Sequence, residues 1–552
     1  MMRSMPANTF SLSQLVHHAR LADDRALVAQ LAPDAARQAA AVGAHIEAAG
    51  LFAIAIEFID PQDASTVELF ERHAYECYLT NQLKPAIASQ RKALEIWRRR
   101  KVVLREGDAL RFLSRLLWYQ GKSDEVDRVA LEAVQVLENG FPTRERALGY
   151  SNLSQLFMLA DNADQCIHWG NKAIELATRM NDQEILCHAL NNVGAVMIKF
   201  PGREEEGKHN LQTSLALALK YNFQEHAARA YTNFSSVYVY TKQYEQARRS
   251  FDEGIRYCEE HDLMSWTYYM LSEKSQMLLS TGNVNEAESV AERLFRNTNH
   301  PNMVRIGSAV TLARIKMRRG EFDEAKALLE EAKLLAFPTN EPIRIVPVLS
   351  ALIELSWLTG KTPPMADIDH AEQNIFSRKD QSWHYSELAY WKHKAGLDLA
   401  PEVSRYAGPF QYEANSDFAG AVKEWRRIGA VYEHAIACFY LDEKHQKNAI
   451  QLLNDSGFAA TSDLLKRKLK LSGVKNIPRG PHESTRSNAA QLTNRQVEIL
   501  RLLQAGNQNK EIAEKLFISL KTVDAHVSAI LSKLEVNTRA RAVLEGQRLG
   551  II

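Results

Sequence analysis

The sequence predicts an all-α protein: an α-solenoid of helical hairpins followed by a small four-helix domain. Three observations carry this. Small residues recur from Ala74 to Ala332 at a step close to 40 residues. Turn signals such as Gln120-Gly121-Lys122, Thr281-Gly282-Asn283 and Arg319-Gly320-Glu321 fall between them. Residues 492–552 hold helix caps at intervals suited to short helices. At 552 residues the chain is too long for one core, and 45% hydrophobic and 24% charged residues are ordinary for a globular protein.

The repeat register is regular. Ala86, Val126, Cys166, Gly207, Ala247, Ala287 and Ala325 stand 40, 40, 41, 40, 40 and 38 residues apart. Twelve positions before each are Ala74, Ser114, Ser154, Ala195, Ser235, Ser275 and Ala313, all small. Seven positions after each come Ala93, Ala133, Ala173, Ser214, Gly254, Leu294 and Ala332, with Leu294 the exception. Each unit therefore reads as two helices whose backbones approach through small side chains. Ala36, Gly43, Ala48 and Ala55 fit one more unit upstream.

With Tyr231, Ser235, Tyr238, Tyr244, Ala247 and Phe251 as its clearest instance, this grammar resembles the tetratricopeptide repeat. HEAT-like hairpins are the alternative. The usual tetratricopeptide period is about 34 residues, and the excess is expected in longer inter-hairpin loops. In either geometry each hairpin is expected to bury its apolar side only against its neighbours. After Gly360 the pattern weakens, and residues 361–380, with Pro363-Pro364, read as an irregular excursion. Helices are expected again at 382–394, 418–428, 432–440, 447–453 and 461–471. The resulting division is 1–400 repeat array, 401–472 its C-terminal helices, 473–488 linker and 489–552 terminal domain. The linker carries Pro478, Pro481, Lys475, Arg479 and Arg486 and should be extended and semi-stiff.

In the terminal domain, Thr493-Asn494-Arg495-Gln496 is a capping box, followed by Val497, Leu500 and Leu503 at helical spacing. Gly506 closes that helix and residues 510–516 form a second. Phe517-Ile518-Ser519 makes a turn, and Ser519 caps a third helix running to about Leu534. Two short helices joined by a three-residue turn have the geometry that places a helix in a DNA major groove. Leu492-Thr493, Gly506, Asn509-Lys510-Glu511-Ile512-Ala513, Ser519, Lys521-Thr522-Val523, His526, Ile530, Lys533-Leu534 and Arg539 have the order and spacing of the LuxR-type DNA-binding domain. The departures are local. Gln496 stands where glutamate is usual, Asp524 and Ser528 where many relatives carry lysine, and Arg541 where glutamate is frequent.

Helical geometry sorts the third helix into faces. Val523, Val527, Ile530 and Leu534 should pack on Ile512, Leu516 and Ile518. Lys521, Asp524, Ala525 and Ser528 form the opposite row, facing base edges, with Thr522, His526 and Lys533 flanking it toward phosphates. Together with Asn509, Lys510 and Ser519, these are the candidate DNA-binding residues. The 16 Lys and Arg against 7 Asp and Glu in residues 464–552 balance at +9. The rest of the chain then balances at −8, against +1 overall. A basic end on an acidic body suits a protein that binds a polyanion through that end.

The five cysteines form no Cys-x-x-Cys and read as reduced and buried, in keeping with a cytoplasmic protein; no signal segment or membrane span is expected. His73/Cys77 and His434/Cys438 have one-turn spacing but no further ligands nearby, so no metal is expected. Residues 202–209 mimic a phosphate-binding loop. However, His209 replaces the hydroxyl that would hold Mg²⁺, and Glu204, Glu205 and Glu206 would repel phosphates. No cofactor site and no enzymatic motif is expected.

Ala74-Tyr75-Glu76-Cys77-Tyr78-Leu79-Thr80, Tyr231-Thr232-Asn233, Pro478-Arg479-Gly480-Pro481 and residues 522–531 further resemble the C-terminal half of large LuxR-type regulators that carry an N-terminal ATPase. No ATPase is expected ahead of the array here. That resemblance implies a transcription regulator whose array receives a protein, peptide or small-molecule effector. It also implies that a homodimer, paired through residues 540–549, binds double-stranded promoter DNA. A repeat-based scaffold with weak, non-specific DNA binding is the alternative.

Overall fold

In the computed structural model, the described residues are 11–59, 66–121, 123–200, 202–374, 382–397, 406–478, 490 and 492–552. The chain divides into two compact units, Met1–Ala437 and Cys438–Ile552. No strand occurs among the described residues.

The first unit begins with α1 (Leu12–Leu21), then α2 (Arg25–Ala41) and α3 (His45–Phe58). Four hairpins follow: α4 (Thr66–Leu79) with α5 (Leu83–Arg100), α6 (Val103–Gln120) with α7 (Ser123–Glu138), α8 (Arg144–Leu159) with α9 (Ala163–Met180), and α10 (Gln183–Met197) with α11 (Glu204–Lys220). Then come α12 (Gln224–Tyr240) with α13 (Tyr244–Glu260), α14 (Met264–Ser280) with α15 (Val284–Arg296), and α16 (Asn302–Arg319) with α17 (Phe322–Ala336). The small-residue register marks the helix crossings. Ala74, Ser114, Ser154, Ser235, Ser275 and Ala313 are wholly buried, as are Ala86, Cys166, Ala247, Ala287 and Ala325.

The extra length lies mainly in the helices rather than in the loops. Helices α8 and α9 have 16 and 18 residues, and only Asn181 and Asp182 separate α9 from α10. A longer helix satisfies its own backbone and buries another turn of side chains, which a longer loop does not. Residues 361–374 also differ from expectation, while 375–380 lie outside the described residues. Helix α18 (Pro342–Thr359) is followed by α19 (Met365–Asn374), with Ile368 and Ala371 buried. Pro363 and Pro364 precede that helix, where a missing N–H costs nothing.

Contacts are not confined to neighbouring hairpins. Ser265 Oγ, at the start of α14, donates to Tyr78 O at the end of α4 (2.5 Å). Asn302 Nδ2, at the start of α16, donates to Gln120 O at the end of α6 (3.1 Å). Trp118 Nε1 of α6 donates to Glu341 Oε1 beside α18 (2.6 Å). The array thus completes a superhelical turn in about five hairpins, and the carbonyl end of an inner helix meets the N–H end of one a turn later. Opposite ends of helix dipoles attract, and each supplies partners the other lacks. This corrects the expectation that hairpins touch only their neighbours.

Helix α18 has a mean hydropathy of 1.4 over 18 residues, enough by length and composition to cross a membrane, although no such span was expected; 78% of it is buried inside the array. The first unit ends with α20 (Ser382–Lys394), α21 (Pro409–Ala414), α22 (Phe418–Ile428) and most of α23 (Val431–Cys438). The second unit holds α24 (Glu443–Asp455) and α25 (Ala459–Leu471), then α26 (Asn494–Gln504), α27 (Asn509–Leu516), α28 (Leu520–Lys533) and α29 (Arg539–Arg548). Most of the linker expectation, with Arg479, Pro481 and Arg486, lies outside the described residues.

Candidate nucleic-acid interface

Helices α26 to α29 share one core: Leu492, Ile499, Leu500, Ile512, Ala513, Val523, Val527, Ile530, Leu534, Ala542 and Ile551, with Leu516 and Ile518 against it. The caps stand where the sequence places them. Gln496 N donates to Thr493 Oγ1 (3.2 Å) and Thr493 N to Gln496 Oε1 (2.9 Å). Thr522 N donates to Ser519 Oγ (3.1 Å). Two further ties were not foreseen. Gln508 N donates to the Glu511 carboxylate (2.7 Å), opening α27 one residue earlier than expected, and Arg495 Nη2 donates to Leu516 O (2.6 Å), bracing the end of α27. The Gln508/Glu511 spacing was readable as a capping box, but glutamine is not a usual cap residue.

Phe517 turns the chain between α27 and α28 in the left-handed region (φ 52°) with its ring 95% exposed. Ile518 N closes the turn on Ala513 O (3.1 Å). The third helix presents two faces. Val523, Val527 and Ile530 are buried, whereas Lys521, Thr522, Asp524, Ala525 and Ser528 are exposed and His526 is half-buried. Lys510 and Lys521 are exposed, with no hydrogen bond or ion pair to another described residue.

Besides the Ser519–Thr522 cap, three candidate residues are engaged within the domain: Asn509, Asp524 and Lys533. Asn509 is 9% exposed, and its Nδ2 donates to Asp524 Oδ1 (2.5 Å). That placement suits a residue that orients Asp524 rather than one that reaches DNA. Lys533 Nζ donates to Gln496 Oε1 (3.0 Å), joining the end of α28 to the capping box of α26, and burial lowers its pKa. Elsewhere, His73 Nδ1 hydrogen-bonds Ser89 Oγ (2.7 Å), its Nε2 lies 3.3 Å from Cys77 Sγ, and His434 Nδ1 faces Val422 O (3.1 Å). No cluster of three metal-ligating side chains occurs among the described residues.

Comparison with known proteins bears on both parts of the chain. Residues 490–545 match the family of bacterial regulatory proteins, luxR family, and residues 228–261 match the tetratricopeptide repeat. The transcriptional regulatory protein LiaR of Bacillus subtilis (strain 168) is 48% identical over 81 residues, covering 15% of this chain and 34% of that one. LnrK of the same organism is 43% identical over 86 residues, covering 16% and 36%. The response regulator protein VraR of Staphylococcus aureus is 55% identical over 53 residues, covering 10% and 25%. The chain therefore spans about a third or less of the length of these relatives. A solved structure, a Rap protein complexed with competence and sporulation factor, aligns over 70% of this chain and 100% of that one, with a TM-score of 0.45 and 10% identity. Residues 490–545 belong to the luxR family of bacterial regulatory proteins, carried on a helical array that contains a tetratricopeptide repeat.

Proposed function

We propose that this chain is a bacterial, cytoplasmic transcription regulator that binds promoter DNA as a homodimer through residues 489–552. The observation that carries this is the exposed row Lys521, Asp524, Ala525 and Ser528 on a capped helix whose other face is locked in the core. A helix held this way enters the major groove as a rigid reader. Lys510 and Thr522 flank it for phosphates, which position the protein without reading sequence. Leu544, 65% exposed on α29, supports pairing of two copies there. The array would receive a protein, peptide or small-molecule effector. The chain's assignment is to regulation rather than catalysis.

A mobility-shift titration of the full chain on promoter fragments, at several salt concentrations, tests this. Selective binding is expected, with a two-fold symmetric footprint whose half-sites lie about 34–36 Å apart. Equal, salt-sensitive binding to every fragment would instead identify a scaffold with a non-specific tether.

A further inference from the structure

The closed superhelical turn encloses a cavity. Its wall is drawn from α6, α8, α12, α14, α16, α18 and α20 and includes Trp118, Tyr240, Tyr269, Glu273, Ile306 and Trp383. The free space is about 100 Å³. A cavity of about 150 Å³ holds a benzene molecule, so this one suits a smaller group.

Its charges are unevenly matched. Glu387 pairs with Arg314 (2.8 Å) and faces Lys242. Arg344 pairs with Glu341 (2.5 Å) and stacks on Trp118, 4.7 Å from the ring centroid. His384 lies 3.4 Å from Asp161, which also holds Lys199 (2.5 Å). Arg314, Lys242, Arg344 and Lys199 thus each have a carboxylate nearby. Glu273 differs: its carboxylate makes no hydrogen bond or ion pair to another described residue. Burial pushes its carboxyl up to about 7. Tyr269, one helical turn before it on α14, has no ring stacked on its face among the described residues, while its hydroxyl faces Ser236 and Arg344. Glu273 is half-buried, and a carboxylate poorly hydrated and without a partner is stabilised by a cation that reaches it. An aromatic face beside it adds cation–π attraction.

We propose that this cavity, with Glu273 in its wall and Tyr269 beside it, binds the alkylammonium group of a small ligand. The group enters between turns of the array, so its binding favours the closed superhelix, because it contacts helices from successive turns at once. This rests on the effector-receiving role proposed above for the array, and it names the site and the chemistry recognised there.

The test titrates the full chain, in phosphate rather than an amine buffer, with n-butylamine and with n-butanol. Fluorescence of the cavity tryptophans and the shift in Tm are the readouts. A lysine tripeptide and its norleucine analogue form a second pair that distinguishes a free amine from a peptide side chain as the source. Saturable millimolar binding of at least one amine is expected, with its neutral partner inert. Glu273→Gln should weaken that binding by about ten- to a hundredfold, as loss of a charge-assisted hydrogen bond does. That variant removes an unpaired charge, so it should fold at least as well as the wild type. Glu286→Gln, exposed on α15, should change nothing. No saturation by any amine, equal binding of butanol, or unaltered binding by Glu273→Gln overturns the proposal. Promoter affinity is measured separately with and without the amine. If the amine binds through Glu273 and promoter affinity does not move, the effector role fails while the site stands.

Discussion

Asn509 Nδ2, inside the first turn of α27, donates a hydrogen bond to Asp524 Oδ1 on the exposed row of α28, 2.5 Å away. An ionised carboxylate has about four lone-pair sites, so this bond fixes its direction and leaves acceptor capacity facing outward. An anion on a surface that meets phosphates is either a tolerated repulsion or an acceptor for a cytosine N4 amino group. A buried residue dedicated to orienting it favours the acceptor.

Asp524→Ala is therefore expected to weaken the operator by about 1–3 kcal/mol and relax selectivity at one position per half-site. Asn509→Ala should act in the same direction with a smaller effect. The double variant should be no worse than Asp524→Ala alone, since both act through one carboxylate. Titrations on one operator and one scrambled duplex check this. Uniform tightening by Asp524→Ala would make the residue a mere repulsion.

Lys510 and Lys533 should separate by stability. Lys510 is exposed with no side-chain partner among the described residues, so Lys510→Ala should leave Tm unchanged and reduce the salt slope of binding by about one. Lys533 also braces Gln496, and Lys533→Ala should cost about 0.5–1.5 kcal/mol of domain stability. The ammonium has three donors, so a phosphate contact by Lys533 would lower the slope as well. A lower Tm with an unchanged slope would leave it as a brace only.

The hairpins and the terminal caps were legible because both rest on local rules. Small residues at helix crossings recur with the repeat, and Thr493 and Ser519 act within three residues of themselves. The superhelical closure was not legible. It depends on single side chains such as Trp118, Ser265 and Asn302 meeting backbone or carboxylate far along the chain, and no period announces them. Helix α19 was hidden because Pro363-Pro364 signals a break without saying that a helix follows. In the candidate interface the exposed row of α28 followed from helical geometry. The bond from Asn509 to Asp524 did not, because its partner lies fifteen residues on in another helix, and only the packing brings the two together.

The register also predicts where volume is refused. A Cβ on Gly207 would lie 2.4 Å from Ile198 N and 2.8 Å from Gly194 O, backbone atoms that cannot rotate away. Gly207→Ala should force α10 and α11 apart and cost about 1–3 kcal/mol, as overpacking does. Ala247→Gly, at the equivalent position one hairpin on, should cost about 1 kcal/mol through helix propensity alone, plus a lost methyl contact. Thermal melts of the two variants should rank Gly207→Ala as the more damaging. The reverse order would mean that α10 and α11 can separate without penalty.

The closure of the first superhelical turn should depend on pH through His45. Its Nδ1 lies 2.6 Å from Glu76 Oε2 and its Nε2 2.9 Å from Gln224 Oε1, so the ring joins α3 to α4 and to α12. Two oxygen acceptors require two N–H donors, which only the protonated ring supplies. Burial lowers its pKa, but the Glu76 hydrogen bond and charge, with Gln224 and Asp262 in support, outweigh burial and leave it raised. A group whose folded pKa lies above its unfolded value stabilises fully below the unfolded pKa, near 6.5, and loses that contribution as pH rises through the folded value. Tm should therefore fall as pH rises above 6.5, and hydrogen-exchange protection at the start of α12 should fall with it. His45→Gln, which cannot titrate, should flatten the protection trend at α12, make the Tm trend shallower by the share Glu273 does not carry, and be less stable than wild type at pH 6. A pH trend in the variant as steep as in the wild type would place the titrating group elsewhere.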